Sequence, residues 1–260
     1  MNMRTALAAL IVILAAIGVG AAARDHRPAP FGDAVVVHSN DTVSKEDGGA
    51  FRIGTDGSVQ LYATKGSDSG HTLWSYKRPG SEPVSVVPLA GITVAVWNDG
   101  MLTGVRSDRP EVAWHRFVPG LADRLRQHPA DVGVLLASLD KGRVFLVPTP
   151  QVVMEYNTAD GSIRSDTLPQ AGCSYAPAQA LALDDLLVLA RPCDHGSTVE
   201  AFDGTGRVWQ VPSTPLARPV STGVDTVGIR DVPLVRTQVV QRTTGRPAAS
   251  LPIRQLPGPR

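Results

Sequence analysis

The stretch Ala201-Phe202-Asp203-Gly204-Thr205-Gly206-Arg207-Val208-Trp209 decides how the rest of the chain reads. An apolar run enters a tight turn rich in Asp, Gly and Thr, and a short run leads out of it to a tryptophan. Such turn residues supply local side-chain hydrogen bonds and positive φ angles, so the stretch predicts an antiparallel hairpin with Trp209 on its second strand. Gly70-His71-Thr72-Leu73-Trp74 repeats the exit from the turn after the apolar run 59–63. Tyr156-Asn157-Thr158-Ala159-Asp160-Gly161 and Gln241-Arg242-Thr243-Thr244-Gly245-Arg246 are weaker copies that have lost the tryptophan. Val105-Arg106-Ser107-Asp108 leads to Trp114 without the glycine. The repeat marks fall near Trp74, Trp114, Arg164, Trp209 and Ala248, with gaps of 40, 50, 45 and 39 residues. A period of this size is the mark of stacked or radial repeats.

Each copy has a second landmark upstream. Asp56-Gly57 and Asp99-Gly100 lie 43 residues apart, each between two apolar runs, and His195-Gly196 sits in a comparable place. Short runs rich in Val, Leu, Ile and Thr cover 35–38, 59–63, 92–97, 143–147, 151–156, 186–190, 199–202 and 237–241. Turn residues bound each of them, which is the pattern of strands. The physical reading is four strands per repeat. The Asp-Gly turn joins the second strand to the third, and the Thr-Gly type of turn joins the third to the fourth. Residues 120–128 are the exception, a short helix or long loop inside the widest gap. A four-stranded sheet of this size cannot bury both faces alone, so copies must stack on one another. The expected fold is an all-β propeller of about five four-stranded blades over residues 51–254. Residues 24–50 read as a linker with a closing strand at 35–38, expected to complete the last blade beside 237–241. Residues 255–260 read as a disordered tail.

The turn-plus-tryptophan signature, best preserved in Ala201, Asp203, Thr205, Gly206 and Trp209, resembles the quinoprotein-type β-propeller repeat. That repeat occurs in quinone-dependent alcohol dehydrogenases and in the periplasmic assembly factor of outer-membrane proteins. The resemblance covers roughly residues 50–250. It implies that Trp74, Trp114 and Trp209, with Gly70, Asp203 and Gly206, are structural residues, the tryptophans buried where neighbouring blades meet. The dehydrogenases are longer and have more units than the five that fit here, and their cofactor-binding and metal-binding residues have no counterparts in this sequence. The likeness is therefore nearer to the assembly-factor type, and no cofactor is expected.

Charge and termini narrow the setting. Twenty-five basic against 24 acidic residues give no overall electrostatic grip on nucleic acid. From Ala6 to Ala23 no charge occurs, and Arg4 and Arg24 flank the run. Ala21-Ala22-Ala23 suits a cleaved secretory signal. The length of 18 residues also meets the lower limit for a membrane anchor. Residues 1–23 are thus read as a signal peptide or a signal-anchor helix, and both readings place the remainder outside the cytoplasm. That compartment permits a disulfide, and Cys173 and Cys193 are the only cysteines. Residues 175–183 and 186–190 read as two strands of a hairpin turning at Asp184-Asp185, which would bring the cysteines together with a mismatch of three residues that an irregular segment at Pro177 could absorb.

No stretch commits to catalysis. Ser138-Leu139-Asp140-Lys141 has the S-x-x-K spacing but falls in a turn and lacks a companion Lys-Thr-Gly. Gly66-Ser67-Asp68-Ser69-Gly70 has Asp where a nucleophile elbow needs Ser. The six histidines, His26, His38, His71, His115, His128 and His195, show no metal-ligand spacing. Trp97 stands outside the repeat register and is the tryptophan expected to meet a partner. Residues 226–260 hold six Arg and one Asp, a basic patch suited to anionic polymer or lipid head groups. The expected function is an exported or anchored non-catalytic scaffold for a protein or envelope partner. The alternative is a small extracytoplasmic oxidoreductase or hydrolase with its site in the propeller channel.

Overall fold

The computed structural model describes residues 32–38, 49–65, 69–129, 134–231 and 236–248. Within them nineteen strands form five antiparallel sheets in chain order. The first contains β1 (Ala34–Val37), β2 (Gly49–Ile53), β3 (Val59–Ala63) and β4 (Thr72–Lys77) in the order β1-β4-β3-β2. The second is a meander of β5 (Pro83–Pro88), β6 (Ile92–Trp97), β7 (Met101–Arg106) and β8 (Val112–Phe117). The third runs through β9 (Ala137–Leu139), β10 (Val144–Pro148), β11 (Val153–Asn157) and β12 (Ile163–Thr167). The fourth runs through β13 (Leu181–Ala182), β14 (Leu187–Pro192), β15 (Ser197–Asp203) and β16 (Gly206–Ser213). The fifth has β17 (Ala217–Ser221), β18 (Thr226–Asp231) and β19 (Arg236–Gln241), with residues 246–248 bonded back along β19. One helix, α1 (Leu121–Gln127), interrupts the connection from β8 to β9. The build is all-β and propeller-like.

The repeat is visible in the register. Between β3 and β4 the ladder slips, so that Tyr62 pairs with Thr72 and Leu61 with Trp74, leaving Leu73 as a bulge. The same slip leaves Ala113 before Trp114 and Val208 before Trp209. A bulge adds local twist and re-aims the next side chain. The three tryptophans share this position and are 3%, 5% and 7% exposed. Trp114 Nε1 donates to the Thr158 carbonyl at 2.9 Å, and Trp209 Nε1 to that of Arg242 at 2.7 Å. Both carbonyls belong to the hairpin turn of the following sheet. Gly161 and Gly245 in those turns have φ of 64° and 65°, and a Cβ on either would lie within 3 Å of the tryptophan ring. Glycine is required there for conformation and for space alike.

Where the sequence loses the motif, the contact changes. The turn 107–111 lacks the glycine, and Trp74 Nε1 has no hydrogen-bond partner among the described residues. In the third sheet Ser165 occupies the tryptophan position and Arg164 is the bulged residue. Arg164 replaces the indole contact. Its guanidinium donates to the Gly204 carbonyl of the next turn at 2.9 Å, and is held by Glu155 and Asn157 at 3.0 Å each.

Four buried clusters join the five sheets in series. Val59, Leu61, Trp74 and Tyr76 meet Ala95, Trp97 and Val105. Val94, Leu102 and Trp114 meet Phe145, Met154 and Tyr156, with Leu121 of α1 closing one end. Leu146 and Val153 meet Leu187, Leu189 and Phe202. Val188, Val199 and Trp209 meet Ala217, Val227, Ile229 and Val240.

Three expectations are corrected. Residues 35–38 do not complete the last sheet. β1 pairs with β4, Val37 facing Trp74, and no buried cluster among the described residues joins the fifth sheet to the first. Trp97 meets no partner, because it is fully buried between the first two sheets. Its Nε1 donates to Thr103 Oγ1 at 2.9 Å, Tyr76 meets it edge-on at 5.4 Å, and Arg78 lies 5.2 Å over its ring. Residues 175–183 are not one strand, since the 3-10 turn Pro177–Gln179 separates Ala176, bonded to Ala190, from Leu181 and Ala182, which form the ladder with β14. The N-terminal apolar helix and the tail 255–260 lie outside the described residues. No helix among the described residues is long and apolar enough to cross a membrane.

Cys173 and Cys193 are bonded, with Cα atoms 4.0 Å apart. Ser174 N–H donates to the Pro192 carbonyl and Ala176 N–H to that of Ala190, which fixes the register beside the bridge. At Leu181 and Ala182 that register has shifted by three residues. The extra residues form a single 3-10 turn, Pro177–Gln179. Proline suits its first position because no N–H is needed there. Replacing both cysteines with serine is expected to lower stability by about 3 kcal/mol, the loop-closure value for a segment of this length. Urea unfolding of wild type and variant checks this, with an unchanged midpoint as the contrary result.

Candidate functional site

Antiparallel alternation gives the array two ends of different character. One end carries the turns joining third to fourth strands, where Trp114, Arg164 and Trp209 dock. The other carries the turns joining second to third strands and the connections between sheets. The clefts described below, α1 and the disulfide all lie at this second end.

One cleft, roughly 780 Å³, lies between the first and second sheets, where Gly54–Gly57 and Arg78–Pro83 face Asn98. Its floor is Arg78, 6% exposed, whose two terminal nitrogens donate to Asp99 at 3.1 and 2.9 Å. Burial works to raise the Asp99 carboxyl, but Arg78, the Met101 N–H and the Ser81 hydroxyl together hold it below the usual range. A second cleft, roughly 560 Å³, lies between α1 and the disulfide-linked loop. Gln127, His128 and Pro129 form one wall, Pro150 the base and Tyr175–Ala178 the other wall. Because Cys173 ties this loop to the β14–β15 turn, the bridge sets the position of that wall. Arg124 of α1 is buried and donates to the Pro148 carbonyl at 3.0 Å, fixing the helix to the third sheet. A third cleft, roughly 390 Å³, runs between Pro212–Thr214 and Asp231.

Three buried polar groups hold the sheets behind these clefts. Tyr76 donates to Asp33 Oδ1 at 2.7 Å, and His115 Nε2 lies 2.7 Å from Asp33 Oδ2. Burial, then the Asp33 charge, pushes the Tyr76 hydroxyl up, so it stays a donor. Burial holds His115 below its ordinary range against the pull of Asp33. Asp, His and Tyr are acid–base types, but this trio ties residue 33 to the first two sheets and lines none of the clefts just described. Glu155, buried, meets Arg164 and Ser165. Glu200, fully buried, meets Arg191 at 3.0 Å, Arg207 at 3.3 Å and the Tyr175 hydroxyl at 3.3 Å.

The other residues singled out in the sequence are dispersed. Gly70 lies in the β3–β4 turn with φ of 89°. Asp203 caps its own turn by accepting from Thr205 N–H at 2.7 Å, and Gly206 pairs with it across the hairpin. Ser138 is exposed on β9, while Asp140 and Lys141 form a turn at positive φ. Asp184 and Asp185 turn the β13–β14 hairpin, and Asp185 pairs with Arg242. Residues 66–68 lie outside the described residues. No three His, Cys, Asp or Glu side chains gather as a metal site among the described residues. What sequence reasoning missed is the cleft-bearing end itself. The signal available was the clustering of Pro129, Pro148, Pro150 and Pro177 in segments that the strand alternation puts at that end.

No family model matches the chain, and no curated protein matches it. Among solved structures, that of BamB from Moraxella catarrhalis is similar, at 13% identity and a TM-score of 0.49. The likeness covers 76% of this chain and 56% of that one, so the chain spans little more than half that protein's length.

Proposed function

We propose that this chain is an exported, non-catalytic binding module that holds a protein or envelope partner against its cleft-bearing end. The observation that carries this reading is the gathering of the three clefts, α1 and the disulfide at one end, while the opposite end carries the inter-sheet contacts. Loops set on a rigid stack are where such folds bind other molecules. The acidic groups at the floor and behind the clefts are paired and engaged in holding sheets, which suits shape and polarity rather than proton transfer. The disulfide supports an oxidising compartment, in line with the apolar run Ala6 to Ala23 as an export signal or anchor. If that run is retained, it also attaches the module to a membrane.

A photo-crosslinking residue placed at Thr55 or Ala178 in the exported protein tests this in its own envelope. Both positions are exposed at the cleft end, and Thr205 and Thr243 are exposed at the other. One discrete adduct from the first pair and none from the second is expected. Equal adducts from both ends, or none from either, would overturn the reading.

A further inference from the structure

Among the described residues, serial stacking leaves two sheet faces uncovered, and they differ. On the outer face of the first sheet, Arg52 donates to Gln60 at 3.1 Å and to Thr72 at 3.4 Å, and lies 4.8 Å over the Tyr62 ring. That row is a polar network which ends on the exposed Val36 of β1. The outer face of the fifth sheet is unfinished. Alternation along β17, β18 and β19 turns Ala217, Pro219, Val227, Ile229 and Val240 toward the fourth sheet. It leaves two cross-strand rows outward, Arg218–Arg230–Thr237 and Val220–Gly228–Val239.

Arg218 and Arg230 are direct cross-strand partners, both exposed, and neither has an ion pair or hydrogen bond among the described residues. Like charges in direct register destabilise a sheet. Asp231 does not relieve them, because it belongs to the opposite face and accepts from Thr214 at 2.9 Å. We propose that this face docks an acidic, extended segment of a partner protein. Two of its carboxylates, on one side of the strand, would neutralise Arg218 and Arg230, while an apolar residue further along that same side covers Val220 and Val239. Sheet-on-sheet clusters join each neighbouring pair of the five sheets, so an extended occupant continues the stack. A second copy is disfavoured by charge, since the other sheet face left uncovered among the described residues presents Arg52. This surface is separate from the cleft end and does not rest on the reading given for it.

The test uses the full chain and a fluorescent synthetic peptide, Thr-Glu-Thr-Glu-Thr-Val-Thr, whose two glutamates and valine lie on one side of a strand. Fluorescence anisotropy is expected to show binding that weakens with salt. Binding should fall about tenfold or more in the double variant Arg218→Gln, Arg230→Gln. Two further readouts run beside it, sedimentation equilibrium and binding to phosphatidylglycerol vesicles. Peptide binding unchanged by the double variant would overturn the proposal. So would an arginine-dependent affinity for vesicles without one for the peptide, or an arginine-dependent dimer. Crosslinking from Thr55 and Ala178 in the same variant reports on the cleft end alone, so the two readings fail separately.

Discussion

Replacing Trp209 by alanine is expected to cost about 3–5 kcal/mol and to release the fifth sheet before the rest. The side chain is 7% exposed, packs against Val227 and Val240 of the next sheet, and donates to the Arg242 carbonyl. Its removal leaves a void at the buried cluster that joins the fifth sheet to the fourth. In a serial array each unit is held by its neighbours alone, so the loss should stay local. Hydrogen exchange should show β18 and β19 losing protection while β6 and β10 keep theirs. Uniform loss along the chain would contradict serial stacking. Gly245→Ala should act at the same contact, because its φ of 65° and the nearby ring both oppose a Cβ. A paired comparison sharpens the point. Trp114→Phe forfeits a hydrogen bond and strands the Thr158 carbonyl, whereas Trp74→Phe removes a buried N–H that has no partner among the described residues. The first should cost about 1–3 kcal/mol more than the second in urea unfolding.

The difference between those two tryptophans was half legible in the sequence. The absence of a glycine between Val105 and Trp114 was plain to read. Its consequence falls on Trp74, a sheet earlier, because each tryptophan docks on the turn of the following unit. Local pattern gave the strands, the Asp-Gly turns and the bulge position, all of which are set by neighbours within a few residues. It also located the irregularity at Pro177, because the disulfide and the hairpin turn left three residues to be placed. Pattern could not give the partner of β1. Ala34–Val37 is four small or branched apolar residues with no alternation, exposed on every side chain, and any free edge would accept it. Loop closure to the adjacent β4 costs less entropy than reaching the far end of the chain.

Trp97 and the buried ions show a second kind of limit. The run Ile92–Trp97 has no polar alternation, and a continuous apolar run means a strand covered on both faces. That signal argued for a buried Trp97, while its position outside the repeat register argued for a free one, and burial won. Glu155, Arg191 and Glu200 are strand charges of the type that local pattern places on a solvated face. Their burial arises because β11, β14 and β15 are covered on both faces, which is a property of stacking and is not encoded within any one strand. The cleft end was unread for the same reason, since its walls come from segments far apart in the chain.

Glu200→Ala is expected to be among the most damaging single changes, at about 3–5 kcal/mol. The carboxylate is fully buried on β15, and Arg191 on β14 is 3% exposed with its Nε 3.0 Å away. Arg191 Nη1 has no partner among the described residues even in the intact protein. Removing Glu200 would therefore leave a buried cation whose side chain donates, among the described residues, to Thr198 Oγ1 alone, at 3.1 Å. Desolvating an uncompensated charge is what makes this loss large, and the attraction within the pair is the smaller part. The double variant Arg191→Met, Glu200→Leu separates the two. It removes both charges and keeps the volume, so its stability should return to within about 1–2 kcal/mol of wild type. Tyr175 supplies an independent readout. Burial, then the Glu200 charge, pushes its hydroxyl up, so without that charge its spectrophotometric titration should move down. If the double variant is as unstable as Glu200→Ala, the network contributes through specific geometry, and the desolvation account is wrong. If the Tyr175 titration does not move, the hydroxyl does not face the carboxylate and the network as described is wrong.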